Sequence, residues 1–467
     1  VLPASTVSDR SRVLALLRRY GYNATSFQTL GAEFRYGFDG DDACVAYVDT
    51  GRAWVVAGAP IASAERMAAV AQAFTLRARA AGRRVAFFGT EGRFTDAVAT
   101  TSLLIGEQPV WDPARWGESL RSSRSLREQL RRARAKGVRV RLVDPAELTP
   151  AEPLRCAVDG LIARWLGSRA MAPMGFLVQL EPCSFLGERR CFVAEAGGAI
   201  VGFLAAVPVY ERRGWFLENL LRDPKAPNGT AELLVDAAMR MAADGGSAYV
   251  TLGLVPLAGG VHRGLRVARR WGAGLYDFEG LHAFKAKLRP HHWEPIYLSY
   301  PAHHNGLLVM GDTLVAFARG GLLRFGLATL LRGPAIVFEL LGYLLLPWTL
   351  ILALAPAAGW FPAPWVKWAW VSFDVCILVS LLGLKLYPKR TDSYHRRSRV
   401  LAGALAALVT ADALVTTLQA IWFNLPRVSS VGEVVIVLVA VAGPTFAAVV
   451  LWSSWRHLHA TRHGLVT

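Results

Sequence analysis

The run from Arg121 to Arg141 carries nine basic residues, Arg121, Arg124, Arg127, Arg131, Arg132, Arg134, Lys136, Arg139 and Arg141, against one acid, Glu128. That density on a helix and the strand after it favours contacts to phosphates, whether of nucleic acid or of lipid headgroups; a solvated helix face is the plain alternative. Arg124, Arg127, Arg131 and Arg134 are the expected phosphate-binding residues. A second stretch, Trp215 to Met241, reads strand, loop, helix, the layout in which a glycine-rich turn offers backbone N–H groups to a pyrophosphate at a helix N-terminus. Between Asp223 and Glu232 the only glycine is Gly229. A coenzyme A cradle needs two closely spaced small residues, so an acyl donor other than coenzyme A is favoured.

The elements that position these residues divide the chain. Of its 467 residues 53% are hydrophobic and 19% charged, below the roughly 25% charged share of soluble domains, which points to a membrane-embedded part. The net charge of +17 points to a polyanionic partner, nucleic acid or an anionic lipid surface. The five cysteines Cys44, Cys156, Cys183, Cys191 and Cys376 form no CxxC pair, which excludes a disulfide framework or structural zinc site; no metal is expected. Up to about residue 300 short strands alternate with amphipathic helices, an α/β pattern. Predicted helices cover Ser63 to Ala81 and Ser125 to Lys136, the second opened by a Ser125/Glu128 capping box and closed at Gly137. Predicted strands are Cys44 to Asp49, Ala53 to Val56, Val85 to Phe88, Val138 to Val143, Cys191 to Glu195, Ile200 to Val209 and Ala248 to Leu252.

Beyond residue 334 come four apolar stretches, Ala335 to Ala355, Val366 to Leu384, Val400 to Phe423 and Val434 to Trp452, each near the ~20 residues that span a bilayer. The connection Lys385 to Arg399 holds six basic residues while the other two loops are almost uncharged, so it and both chain ends are expected in the cytoplasm. Asp374 and Asp412 fall in mid-span, where charge is costly; they either handle a headgroup or proton or tie helices together.

The segments GAP (58–60), IGEQPVW (105–111), SLREQLRRARAKG (125–137), NLLRDPKAPNGTAELL (219–234), LGLVPLA (252–258) and FEGLHAFKAKLRPHHWEPIYL (278–298) occur in this order. Together they resemble the synthase domain of the multiple peptide resistance factor, the lysylphosphatidylglycerol synthase family, over roughly residues 20 to 300. The resemblance implies an α/β fold of tandem GNAT-like acyltransferase domains, 10–145 and 146–300 with the donor site in the second; the residues themselves add an amphipathic interfacial connector, 301–333, and four transmembrane helices with a short tail, 334–467. It implies transfer of a lysyl-like group from aminoacyl-tRNA, as co-substrate and without any cofactor, to a hydroxyl of phosphatidylglycerol. The partners would be aminoacyl-tRNA, anionic phospholipid, the bacterial inner membrane and a second copy in a homo-oligomer. An aminolipid lowers surface negative charge and weakens the pull on cationic peptides. Three features depart from the family: its spans precede the synthase, its acid ahead of the Leu-Met-Arg stretch is Asn219 beside Glu218, and its Met-Ala-Pro-Leu string reads Leu254 to Leu257.

An aminoacyl ester is already activated, so the site must place a hydroxyl, take its proton and stabilise the oxyanion, with no covalent nucleophile. Glu218, Glu232 and His262 are the expected proton acceptors, any of which could instead bind the donor's ammonium; Arg222 and Lys285 are the charge stabilisers. Arg222 would otherwise bridge to Glu218 or Asp223. Asn219, Gly229, Gly253, Pro256, Lys285 and Lys287 are the expected substrate-binding residues, the two lysines alternating on a strand. The pairs His291/His292 and His303/His304 read as polar residues near the membrane surface rather than metal ligands. Two further readings stay open: an N-acyltransferase fed by an acyl carrier, and a non-catalytic binding module of a lipid transport system.

Overall fold

The computed structural model describes residues 6–169, 171–272, 276–319, 321–330, 334–356, 360–385 and 392–463. The chain forms two compact units, the first running to Phe325 and the second from Gly326 onwards together with residues 169–172. The strands of the first unit are β1 (Arg35–Phe38), β2 (Cys44–Asp49), β3 (Ala53–Ala57), β4 (Arg84–Thr90), β5 (Thr101–Trp111), β6 (Arg139–Val143), β7 (Arg190–Ala196), β8 (Ala199–Val209), β9 (Gly214–Arg222), β10 (Tyr249–Thr251), β11 (Val255–Pro256) and β12 (His292–Tyr300). Its helices are α1 (Val7–Tyr20), α2 (Met67–Ala80), α3 (Gly92–Ala97), α4 (Trp116–Ser122), α5 (Arg124–Ala135), α6 (Pro153–Gly167), α7 (Thr230–Asp244), α8 (Arg263–Gly272), α9 (Phe278–Lys287) and α10 (Gly306–Phe317); α11 (Leu322–Leu330) follows.

Eleven strands lie in the order β1-β2-β3-β4-β12-β5-β10-β9-β8-β7-β6, with β11 paired to β5 beside them. Each half repeats one pattern, an antiparallel meander and then a strand–helix–strand crossover with parallel strands: β3–α2–β4 and β9–α7–β10. The halves expected on either side of residue 145 therefore share one continuous sheet. What joins them is an exchange, since β12, the last strand, enters between β4 and β5.

Helix α5 shows how local sequence sets an element. Leu126, Leu130 and Ala133 recur at helical spacing and are buried against α7 and the sheet, each leucine contributing about 1.5–3 kcal/mol. Its cap is Ser123, whose hydroxyl accepts from the Leu126 N–H, and not the Ser125/Glu128 box; Glu128 turns instead to Arg131 and Arg132. Gly137, at φ +77°, ends the turn after it. The segment read as a strand carrying Lys285 and Lys287 is helix α9, begun by the Asp277 carboxylate on the Gly280 N–H. The expected connector begins as part of the first unit, because α10 packs on the sheet through Asp312, which binds Arg84 of β4 at 2.7 and 2.9 Å. Its outer face keeps Leu307, Leu308 and Leu314 exposed.

The second unit holds α12 (Pro334–Leu354), α13 (Pro364–Lys385), α14 (Asp392–Gln419) and α15 (Val431–His463). Each expected span is helical, but among the described residues two, Gly403–Arg427 and Val431–Ser453, are long and apolar enough to cross a membrane, and Leu341–Leu354 is a shorter apolar helix. The side chains of the basic segment 385–399 lie outside the described residues. Thr349 approaches Asp374 at 3.4 Å, and Thr416 donates to Asp412 at 3.1 Å.

Gly229, at φ +94°, has the Gln129 carbonyl oxygen 2.2 Å from where a Cβ would stand. Gly229→Ala should lower stability by about 2–4 kcal/mol, read as a drop in the thermal midpoint of the purified chain in detergent; an unchanged midpoint would contradict this contact.

Candidate active site

The site builds on the later part of β9, which runs on to Arg222 past the point where its parallel neighbour β10 ends opposite Phe216. In β9 the register slips opposite Ala205/Ala206, so that Glu218 is the inserted residue, and a bulge of this kind re-aims the side chain it inserts. Glu218 is buried, holding Arg189 at 2.5 Å and accepting from the Asn219 amide at 2.7 Å. It faces a narrow cavity of about 20 Å³ shared with Glu33, Glu181 and Arg189, room for a water and no more. Burial raises the Glu33 carboxyl, and its Oε2 has no hydrogen-bond partner.

At the strand ends the expected lysines take different parts. Lys285 is buried, and its ammonium donates to the carbonyls of Leu252, Gly253 and Leu254 at 2.8, 2.8 and 3.1 Å. Burial pushes its pKa down to about 7. It is thus an anchor for the turn after β10 and has no donor left for a ligand. Lys287 reaches Glu232, in the first turn of α7, at 2.8 Å and remains partly exposed. Arg222, at the end of β9, bridges to neither expected partner: Glu218 is taken by Arg189 and Asp223 by Arg164. Among the described residues its half-buried guanidinium has no ion pair or hydrogen bond. Gly253, at φ +69°, lets the ring of Phe216 pack where a side chain would stand, and Pro256 pairs with Gly106 across β11 and β5. His262 is exposed, its Nδ1 accepting from the Gly264 N–H at the start of α8.

Residues 14–300 match the family described as "Phosphatidylglycerol lysyltransferase, C-terminal". The chain belongs to this family. It is 25% identical over 323 residues to the lysylphosphatidylglycerol biosynthesis bifunctional protein LysX of Mycolicibacterium vanbaalenii, covering 64% of this chain and 28% of that protein. It is 26% identical over 316 residues to the phosphatidylglycerol lysyltransferase of Bacillus subtilis, covering 64% of this chain and 36% of that one. The chain thus spans about a third or less of these relatives' lengths. The solved structure of L-PGS from Bacillus licheniformis has the same fold, with a TM-score of 0.56 at 21% identity over 66% of this chain and 96% of that one.

In this member of the lysyltransferase family the arginines of α5 are partly committed within the protein. Arg127 donates to the carbonyls of Leu120 and Arg121, Arg131 binds Glu128, and Arg134 binds the buried Asp236 at 3.0 Å, which also accepts from Trp116. Arg124 stays exposed, as do Arg121, Lys136 and Arg139. Sequence reasoning missed Arg189, whose signal was the need of Glu218 for a cation. It also missed a cluster at the start of β9 and β10. There Arg212 grips Glu294 at 2.9 and 2.5 Å and Glu91 at 3.2 Å, its guanidinium 3.7 Å from the centre of the Tyr249 ring. This cluster borders a cavity of about 460 Å³ that Trp111, Arg115, Glu211 and His291 help to line. His291 accepts from the Asp112 N–H through Nδ1.

Burial pushes the Glu91 carboxyl up to about 7, against the pull of Arg212. A carboxyl raised in the folded chain adds stability that is complete below its unfolded value of 4.5 and is lost as pH rises through 7. Glu91→Gln, neutral at every pH, should therefore gain on the wild type between about pH 5 and about pH 8. Thermal midpoints of both proteins at the two pH values check this, and a gap that does not change with pH would contradict it.

Proposed function

We propose that the chain is a membrane-anchored aminoacyltransferase, two GNAT-like halves on one sheet, that moves a lysyl-like aminoacyl group from aminoacyl-tRNA to a hydroxyl of phosphatidylglycerol. The observation that carries this reading is a pair of charge features, Arg222 at the end of β9 without a partner among the described residues and Lys287 paired with Glu232 at the start of α7, in a chain whose residues 14–300 belong to the lysyltransferase family. Arg222 is placed to meet an anionic oxygen, of a phosphate or of the tetrahedral intermediate. Lys287 and Glu232 can part around a polar substrate. Gly229 is spent on the close approach of the α5 backbone, and the loop before α7 holds no second glycine, which supports a donor other than coenzyme A. The exposed basic residues Arg121, Arg124, Lys136 and Arg139 suit the tRNA backbone. The four apolar helices then act as the anchor that holds the site at the inner leaflet of the bacterial cytoplasmic membrane.

The test is incorporation of radiolabelled amino acids into chloroform-extractable lipid by the purified full chain in phosphatidylglycerol vesicles with charged tRNA. Label that requires intact tRNA and disappears with ribonuclease is the expected result, and the amino acid that enters lipid is identified at once. Arg222→Ala should lower the rate about 10²-fold with the thermal midpoint kept. Absence of label with every charged tRNA overturns the reading; label from acyl carrier donors instead would establish the N-acyltransferase.

A further inference from the structure

We propose that His282 is a catalytic residue of this transfer, the proton acceptor for the lipid hydroxyl, oriented by Glu107 and by the ring of Trp293. The proposal rests on the aminoacyl-transfer reading above and adds to it a residue at the same site.

Each proton acceptor expected from the sequence is already engaged. Glu218 is buried under Arg189 and Asn219, Glu232 holds Lys287, and the Nδ1 of His262 accepts from its own backbone turn. His282 stands three residues before Lys285 on α9 and so shares its face. That face is fixed, because the Lys285 ammonium is bound to the carbonyls of residues 252 to 254. The next residue, Val255, lies directly opposite Glu107 in the β11/β5 pairing. One turn from the anchored loop, the Nε2 of His282 is 3.6 Å from Glu107 Oε1, and the imidazole stacks on Trp293 of β12 at 5.0 Å between centres and 19° between planes. Gly259 closes over the carboxylate, since a Cβ there would lie 2.9 Å from Glu107 Oε2.

Three elements, α9, β5 and β12, thus converge on one imidazole. A solvated ion pair has neither an aromatic wall nor a loop folded over its acid. The side chains are 43% and 22% exposed, open enough for a substrate and ordered enough to aim. Hydrogen bonds of catalytic groups are commonly long until substrate arrives. Nδ1 has no hydrogen-bond partner among the described residues, and in the step proposed the 3.6 Å gap from Nε2 to Glu107 closes to a hydrogen bond that leaves the lone pair on Nδ1.

The step balances without a further reagent. The lipid hydroxyl gives its proton to Nδ1 as its oxygen bonds to the ester carbonyl carbon. The tetrahedral intermediate then collapses, the bond from that carbon to the tRNA ribose oxygen breaks, and the proton passes from His282 to the departing oxygen. Glu107 stays ionised and stabilises the imidazolium between the two transfers.

The experiment uses the full chain in phosphatidylglycerol vesicles with charged tRNA. His282→Gln should lower kcat about 10²-fold and Glu107→Gln about tenfold, with KM for tRNA and lipid and the thermal midpoints unchanged. Added imidazole should restore part of the rate of His282→Ala, which a merely structural role would not allow. A wild type that labels lipid beside a His282→Gln of equal kcat overturns this proposal alone, as does a loss that lies wholly in KM. A wild type that labels no lipid overturns the transfer reading and this proposal with it. If the His282 variants do not fold, a Glu107→Gln that folds and keeps the full rate overturns it.

Discussion

Strand β12 lies between β4 and β5, and the arrangement of the site depends on that insertion. Its nine residues pair along β5 from His292 opposite Val110 to Tyr300 opposite Thr101, and its far end pairs with β4. A strand from the end of the second half thereby completes the sheet of the first. The entry is held at one point by bonds that cross the chain: the Trp111 indole donates to the Leu288 carbonyl, the Ser119 hydroxyl to the Arg289 carbonyl, and the His291 N–H to the Val110 carbonyl. Helix α9 ends where these bonds begin, so its position over the β5/β11 edge is imposed from both sides. Lys285 meets the turn after β10, and His282 meets Glu107, because β12 can enter nowhere else.

A net charge of +17 and a site that needs both signs set a second constraint. The fold meets it by sorting its charges. Several acids held inside the first unit are given an arginine: Glu218 with Arg189, Asp236 with Arg134, Asp312 with Arg84, and Glu91 with Arg212. A buried pair adds little net stability, but removing one partner leaves a charge that the interior cannot solvate. These pairs therefore fix register and docking more than they add energy. Once they are formed, Arg222 at the end of β9 is left without a partner among the described residues. The same logic applies in the second unit, where Trp370 donates to Gln419, Gln419 and Asn424 donate to the Trp360 carbonyl, and Trp452 donates to Thr410. Hydroxyls there also turn back on their own helices, as Thr349 to the Leu345 carbonyl and Thr417 to the Ala413 carbonyl, so that polar groups on apolar helices find protein partners.

What the sequence made legible follows from the range of the interactions. Strands β2, β3 and β7 were readable from apolar and β-branched runs whose bounds are set by local turns, and β2 coincides with the predicted Cys44 to Asp49. The α9 segment misled because Phe-Lys-Ala-Lys alternates like a strand; tertiary packing of Lys285 and the Asp277 cap made it a helix. The helix cap at Ser123 was shifted from Ser125 because the arginines following Glu128 compete for its carboxylate. Arg222, Glu232 and Lys287 were visible as residue types at matching places in a motif. The partners of Glu218 and His282 were not, because Arg189 and Glu107 are far away in sequence and only the bulge in β9 and the entry of β12 bring them near.

Gly229 carries the last step. In the sequence it is a glycine before a helix, where a phosphate could sit, and its positive φ fits that picture. In the fold the missing side chain serves α5 instead, whose Gln129 carbonyl and Ala133 methyl occupy the space, while Arg134 locks the same helix to Asp236 of α7. Glu232, in the first turn of α7, pairs with Lys287 of α9, and Lys285 on the same helix holds the turn after β10. The glycine is thus explained by helix packing against α5, and Arg121, Arg124 and Lys136 stay exposed outside that contact.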